Sequence, residues 1–218
     1  MAKPAAPPTV SDEQVRILLR RYSCPVPFHA VRTRFLGNIA SPDPQASPMR
    51  IIESLWGGRM PEFESIDDAN ELLGALMMGL WNRLSRHQER SAPFRLTRVE
   101  VPATLDGLAR IALLRQEELE GFASGLFGEN ETMDLPQRAH EAMTVLSEAR
   151  GMTVATYNLA TDLTKPTSAQ NIAGTLGHLR KLTRIVEHEM HELVISCTRT
   201  RRDSLQGYAS HTAGAALD

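Results

Sequence analysis

Apolar residues recur along most of this chain at spacings of three and four, the period of one face of an α-helix. The stretch 66–88 shows this best, with Ile66, Ala69, Leu72, Leu73, Leu76, Met77, Leu80, Trp81 and Leu84. A stripe of this width needs other helices to cover it. Shorter stripes predict a helix from Ser11, a second over 28–40 and a third from Pro48 toward Leu55.

The region 105–126 continues the helical period, and its apolar residues fit either one helix or two. We expect a break near Gln116. Asp134, with Gln137 three positions later, has the spacing of a capping box and predicts a helix that ends near residue 150.

The last third of the chain is less uniform. Residues 152–163 are ambiguous, because their β-branched and aromatic side chains suit a strand as well as a helix. The longest helix is expected over 168–201. We therefore predict an all-α, multi-helix bundle-like domain of about seven to nine helices. The expected organisation is a disordered arm over 1–10, a helical domain over 11–150, a long C-terminal helical region over 151–205 that packs on it or mediates association, and a flexible tail over 206–218.

A turn motif separates the third and fourth predicted helices. Pro61 disfavours helix before it, Gly57 and Gly58 permit a tight turn, and Ser65 with Asp68 has the spacing of a helix cap. We expect at least one of the two glycines to have a positive φ or to admit a close backbone approach. The motif residues, taken as structural, are Trp56, Gly57, Gly58, Pro61, Phe63, Trp81 and Asn82. Those expected to be mostly buried are Trp56, Phe63, Leu73, Leu76, Met77, Leu80 and Trp81.

Composition adds limits on function. The 218 residues are 42% hydrophobic, 23% charged and only 5% aromatic, and the net charge is −2. That charge gives no overall attraction to nucleic acid or anionic lipid. Cys24 and Cys197 are the only cysteines and have no partner motif, which favours a reduced, cytoplasmic setting. No 18-residue apolar run or signal-peptide core is present, so we expect no membrane span.

With these elements placed, the region 28–128 resembles the YecA/YgfB-like family, a group of all-helical bacterial proteins. The matching segments follow the family order: Phe35-Leu36-Gly37-Asn38-Ile39-Ala40, the proline-rich loop Ser41 to Pro48, Ile51 to Gly58, Pro61 to Ser65, Leu80-Trp81-Asn82 and Glu118 to Leu126. The chain departs from the pattern at Phe28-His29-Ala30-Val31, and it lacks the cysteine-rich zinc tail of many relatives. The resemblance implies an all-helical fold and no agreed enzymatic role.

The best metal candidate is the segment Glu187-His188-Glu189-Met190-His191-Glu192. On a helix, Glu187 lies one turn from His191, and His188 lies one turn from Glu192, so two carboxylate–imidazole pairs are possible. The alternative is a solvated helix face with ordinary intrahelical pairs, which the neighbouring apolar stripe favours. The spacing matches neither the His-Glu-x-x-His motif nor the Glu-x-x-His of di-iron bundles.

The sequence contains no catalytic constellation. The acidic runs Asp67-Asp68 and Glu117-Glu118-Glu120 suit helix starts and surfaces as well as general acid–base chemistry. Cys197 near His188 or His191 resembles a thiol–base pair, but a buried hydrophobic cysteine is commoner there. Gly57-Gly58 lacks a phosphate-binding context, and we expect no cofactor.

Basic residues form two clusters that could contact phosphate or an acidic partner. They are Arg16, Arg20, Arg21, Arg32 and Arg34 near the start, and Arg199, Arg201 and Arg202 near the end. Neither has interleaved aromatics or a helix-turn-helix pattern, and basic residues at a helix C-terminus are favoured by the helix dipole alone. Nucleic acid is therefore the less favoured partner.

Three functions are left open at this point. The leading interpretation is a non-enzymatic, regulatory interaction protein that acts through protein–protein contacts. The second is a metal-binding protein or metal-dependent enzyme that uses His188, His191 and nearby glutamates, and the third is a nucleic-acid-associated regulator. We also expect a homodimer, because the apolar stripe of the 168–201 helix is longer than a small domain readily covers.

Overall fold

Seven helices make up the part of the chain that the structure, a computed structural model, describes: residues 10–43, 45–130, 132–162, 164 and 168–214, with side chains up to residue 203. They are α1 (Asp12–Arg21), α2 (Phe28–Ala40), α3 (Pro48–Ser54), α4 (which begins with Ile66–Gly74), α5 (Leu105–Phe127), α6 (Gln137–Thr161) and α7 (Ala169–Gly214). Those ranges contain no strand, so the predicted all-α class is confirmed. No helix among them is long and apolar enough to cross a membrane.

The helix starts follow local signals in the sequence. Ser11 caps α1 in a capping box: its hydroxyl accepts from the Gln14 N–H at 3.2 Å, and the Gln14 side chain accepts from the Ser11 N–H at 2.7 Å. The Ser65 hydroxyl caps α4 by accepting from the Asp68 N–H at 3.1 Å. Each cap satisfies N–H groups that have no partner within the helix.

α4 changes its helical type along its length. It is π-helical over Ala75–Trp81, α-helical again over Asn82–Leu84, and ends as a 3-10 turn at Ser85–Gln88. Positions four apart drift by about 40° around a regular α-helix, and the wider π turn counters that drift. The stripe residues Leu72, Leu76, Leu80 and Leu84 consequently all stay in the core.

α2 and α5 make the central contact of the bundle, and their backbones touch. A Cβ atom added to Gly125 would lie 1.8 Å from the Arg34 carbonyl oxygen, and one added to Gly37 would lie 2.1 Å from the Phe122 oxygen. Gly121 is as confined, 2.6 Å from the Ala30 oxygen. Only glycine allows this separation, so these positions set how closely the two helices pack.

The other long helices are layered on this pair. α6 packs against α5, and α7 packs against α6 while also contacting α2 and α5. The largest fully buried side chains of the core include Phe35 and Phe122, one from each helix of the central pair. A second, smaller cluster joins α5 to the start of α7 through Leu108, Ile111, Leu176 and Leu179.

The turn motif fastens α3 and α4 to α1. Trp56 donates its indole N–H to the Tyr22 carbonyl at 2.8 Å, and the Tyr22 ring meets the Phe63 ring edge-on at 5.2 Å. Gly57 and Gly58 have φ values of 72° and 90°, which confirms the predicted positive φ.

Burial around the motif is less complete than expected. Leu76 and Leu80 are fully buried, whereas Trp56, Phe63, Leu73, Met77 and Trp81 are partly buried and pack against the core. Trp81 meets the Phe35 ring edge-on at 5.8 Å. Pro61 is partly buried, and Asn82 is exposed.

The boundaries predicted for α5 and α6 were wrong. α5 runs unbroken through Gln116, whose side chain bonds to Glu120 one turn later at 3.1 Å. α6 begins after Pro136 instead of Asp134 and continues to Thr161. The β-branched threonines of that stretch fit a helix because their hydroxyls donate to carbonyls of the preceding turn, as Thr153 does to Arg150 at 2.8 Å.

The ends of the chain are described only in part. α7 continues to Gly214, beyond the predicted end near residue 201. The predicted arm, except for Val10, and residues 215–218 of the predicted tail lie outside the described residues.

The apolar stripe of α7, which motivated the dimer prediction, is covered within one chain. Its buried members are Ile172, Leu176, Leu179, Val186, Met190, Leu193, Val194 and Cys197. Leu182 is partly buried, and Ile185 alone is exposed, at 48%. The dimer stays a prediction, without the exposed stripe on which it depended.

The α2–α5 contact can be tested with a glycine pair. We expect Gly125→Ala to lower the free energy of unfolding by about 1–3 kcal/mol, because the new methyl group forces the Arg34 carbonyl away. Gly151→Ala is the matched control on α6. Apart from the neighbouring turns of its own helix, no atom of the described residues lies within 4 Å of a Cβ atom added there. We therefore expect this substitution to raise the free energy of unfolding by up to about 1 kcal/mol. Urea unfolding of both variants measures this, and equal effects would contradict the close approach.

Candidate functional site

The predicted metal segment lies in the middle of α7, and its residues point to different surroundings. Glu187 and His191 are buried, at 9% and 8% exposure, whereas His188 is exposed. The Glu187 carboxylate is occupied: it accepts from the Leu96 N–H at 3.0 Å and from Arg95 Nη1 at 2.7 Å. Glu187 therefore holds the segment after α4 against α7.

Glu192 interacts with a different arginine, Arg138. Arg138 of α6 lies 2.7 Å from Glu189 and 3.8 Å from Glu192. The four candidate ligands are thus split between a buried pair, an exposed histidine and an ion pair with α6. Within the described ranges, no three His, Cys, Asp or Glu side chains are grouped so that they could hold a metal ion.

Glu118 on α5 performs the same task as Glu187 from the opposite side. It is fully buried, accepts from the Thr97 N–H at 2.7 Å and pairs with Arg115. Arg115 in turn donates to the Thr97 carbonyl at 2.7 Å and to the Thr183 hydroxyl of α7 at 3.1 Å. The extended segment 94–101 is therefore clamped by one carboxylate from α5 and one from α7.

This buried network was missed in the sequence. Glu118 was interpreted only as part of an acidic run. The available signal was its position on the buried stripe of α5 with Leu119 and Phe122, one turn after Arg115. A buried acid beside a buried base at that spacing indicates an internal ion pair.

The clamp predicts a large effect from one substitution. We expect Glu118→Ala to lower the free energy of unfolding by roughly 3–5 kcal/mol, because Arg115 is left charged and buried without its partner. Glu120 lies on the same helix as Glu118 and forms an exposed ion pair with Arg150 of α6. Glu120→Ala should lower the free energy of unfolding by about 0–1 kcal/mol. Chemical denaturation compares the two; a similar loss in both would mean that the network contributes little.

His87 and His191 form a second polar group, between the end of α4 and α7, in which His191 is buried and His87 is partly buried. The His87 Nδ1–H donates to the Ala92 carbonyl at 2.7 Å, and the ring meets Phe94 edge-on at 5.2 Å. Burial lowers the pKa of His87, and the charges of Arg32 and His191 lower it further, against the raising effect of the Ala92 hydrogen bond. The folded protein therefore favours neutral His87.

Stability should consequently depend on pH. As pH falls through about 6.5, the unfolded state takes up a proton at His87 that the folded state resists, so stability is lost until the folded state also protonates. We expect His87→Gln to flatten the fall in urea midpoint between about pH 7.5 and 5.5. The exposed His140 of α6 provides the control, and His140→Gln should keep the wild-type slope. An unchanged slope in His87→Gln would count against this group.

The arginines of the N-terminal basic cluster form ion pairs and hydrogen bonds within the chain. Arg16 and Arg20 pair with Glu13, and Arg21 pairs with Asp68 and Glu71. The last two members, Arg32 and Arg34, donate to backbone carbonyls of neighbouring segments. These arginines hold the fold together and leave little free charge for a ligand.

The C-terminal cluster divides. Arg201 donates to the Ser41 carbonyl at 3.2 Å, and burial lowers its pKa. Arg199 and Arg202 are exposed, and neither forms an ion pair within the described residues. Only these two of the three remain available to a partner.

Arg199 and Arg202 lie on the same side of α7 as a second group of cations near residue 182, and we call the two groups together the basic face of α7. His191 and Thr198, which the helical period places on that side between the two groups, are buried. The basic face comprises Arg180, Lys181, Arg184, Arg199 and Arg202, all exposed and none in an ion pair within the described part of the chain. At 100° per residue the five lie within an arc of about 100°, and they extend over about 33 Å of helix. Ile185, 48% exposed, lies beside Arg184.

The acids of the same helix do not neutralise this face. From residue 178 to 202 every exposed position of α7 is basic, apolar, histidine or threonine. The three glutamates there, Glu187, Glu189 and Glu192, are turned toward Arg95 or Arg138. The cluster of basic residues in the sequence indicated only the C-terminal end of the face, although the helical spacing already places Arg180 and Arg184 on the same side.

A hollow opens at the C-terminal end of the basic face. It has a volume of about 280 Å³ and is lined by Gln88, Arg90, Ile195, Thr198, Arg199, Arg202 and Asp203. Arg90 comes from the segment after α4, so cationic groups of two elements meet there.

Comparison of the chain with protein-family models, with curated proteins and with solved structures gave no match. The resemblance to the YecA/YgfB-like family therefore stays a prediction, based on the segments quoted above.

Proposed function

We propose that the chain is a non-enzymatic helical interaction protein that binds an acidic protein segment through the basic face of α7. The observation that supports this is the set of five exposed, unpaired cationic side chains on one side of a helix whose own glutamates are neutralised. Unpaired cations in such an array attract and orient a partner of opposite charge. The cytoplasm is the proposed compartment, because both cysteines are free.

Two features favour protein over nucleic acid as the partner. Ile185 lies exposed among the cations, and an apolar side chain surrounded by arginines is typical of protein interfaces, where arginine is enriched. The basic face also lacks an exposed aromatic residue on which bases could stack.

The proposal can be tested with a labelled acidic peptide. About ten extended residues cover the 33 Å of the basic face, so the probe is a peptide of that length with Asp and Glu throughout and one central Leu for Ile185. We expect fluorescence anisotropy to show binding that weakens with salt, and Arg180→Glu with Arg184→Glu to reduce the affinity at least about tenfold.

The matched control reverses two arginines elsewhere. Arg50 and Arg59 are exposed on the α3 side of the molecule, and Arg50→Glu with Arg59→Glu should leave the affinity within about twofold, since the net charge changes equally. A 20-base-pair duplex is titrated in parallel. Equal losses in both double variants, or tighter binding of the duplex than of the peptide, would overturn the proposal.

A further inference from the structure

We infer that the hollow at the end of the basic face is a phosphate site, which takes a phosphorylated serine or threonine of the acidic protein segment. The inference rests on the proposed function for the identity of the partner. The hollow itself is defined independently, by its lining residues.

The type and number of the cations in the hollow favour a phosphate. Arg90, Arg199 and Arg202 line one hollow, and none of them has an ion pair within the described residues. A guanidinium presents a planar fork of N–H donors that matches two phosphate oxygens at once. Three such groups from two chain segments can surround a tetrahedral dianion, whereas a carboxylate has only two oxygens to offer them.

An unsatisfied polar group also lies in the wall of the hollow. Thr198 is 3% exposed, and its hydroxyl has no hydrogen-bond partner among the described residues. Threonine in a helix usually bonds back to a carbonyl of the preceding turn, as Thr183 does to Leu179 at 2.8 Å. A buried hydroxyl without a partner is costly. Because Thr198 lines the hollow, a rotation of its side chain toward the hollow would let a phosphate oxygen accept from the hydroxyl.

The net charge of the residues that line the hollow also matches a phosphate. Asp203 is the only acid among the lining residues, against three arginines. The remaining net charge of about two positive units matches a phosphate monoester, which carries −1.5 to −2 at neutral pH. The 280 Å³ volume leaves room for the phosphate and the side chain that bears it.

The position of the hollow predicts a register. The axial distance from Ile185 to the midpoint of Arg199 and Arg202 is about 23 Å, which an extended peptide covers in about seven residues. The phosphorylated residue should therefore lie about seven positions from the apolar residue of the partner.

The experiment uses the intact chain and a series of acidic peptides that carry one Leu and one phosphoserine. The phosphoserine lies about three, seven or eleven residues from the Leu, in either chain direction. An unphosphorylated parent and a neutral peptide with one phosphoserine complete the series. We expect the seven-residue spacing to bind at least about tenfold more tightly than the parent.

Three variants show which residues produce the gain in affinity from phosphorylation. Arg199→Gln with Arg202→Gln should abolish the phosphate gain. Arg180→Gln with Arg184→Gln should weaken parent and phosphopeptide equally and leave the gain intact. Asp203→Asn removes the repelling carboxylate, and we expect it to strengthen phosphopeptide binding by about two- to fivefold, a result that a damaged fold would not produce.

The outcomes separate the two proposals. A parent peptide that binds without any gain from phosphorylation overturns the phosphate site and leaves the basic face standing. Binding of the neutral phosphopeptide alone, sensitive to Arg199 and Arg202, supports the phosphate site and rejects the acidic partner. A gain that survives the Arg199 and Arg202 substitutions, or weaker binding in Asp203→Asn, overturns the site.

Discussion

The rest of the bundle depends on the contact between the backbones of α2 and α5. Gly37, Gly121 and Gly125 let the two helices approach until a single methyl group would collide with a carbonyl oxygen. At this distance Phe35 and Phe122 become fully buried. α6 then packs on α5, and α7 closes over α6, α5 and α2. The position of the basic face relative to the segment after α4 thus depends on the three glycines at the centre of the bundle, which have no side chain.

The carboxylate clamps solve a problem that the helices create. The segment 94–101 runs extended between α5 and α7, and the described part of the chain has no strand to pair with its N–H groups. Glu118 and Glu187 accept from Thr97 and Leu96 in place of a strand. Burying charge is expensive unless each ion is paired and hydrogen-bonded, and Arg115 and Arg95 fulfil that condition. Glu187, which resembled a metal ligand in the sequence, is therefore part of the internal scaffold.

Local features could be predicted from the sequence, and contacts between distant residues could not. The Ser11 cap and the positive φ of Gly57 and Gly58 follow from interactions within a few residues, so a short window contains the whole cause. Glu187 receives its partner from Arg95, 92 positions earlier, and no window contains both. The basic face lies between these cases.

The residues of the basic face can be predicted from the helical period once the bounds of α7 are known. That they are free of acids depends on contacts with α6 and with the segment after α4, which lie outside α7. The sequence leaves the stretch 152–163 open between strand and helix because its threonines suit a strand. In the structure their hydroxyls donate to carbonyls of the preceding turn of α6, a local interaction that residue propensity does not include.

Arg138 has a consequence beyond the pair it forms. It belongs to α6 and lies outside the basic face, yet it neutralises Glu189 and Glu192 in the middle of α7. Without it, two uncompensated negative charges would lie between the Arg184 and Arg199 ends and interrupt the positive potential along the helix. Long-range potential governs how fast a charged partner is captured more than how long it stays bound. The rate of encounter at α7 is therefore controlled in part by a side chain that the partner never touches.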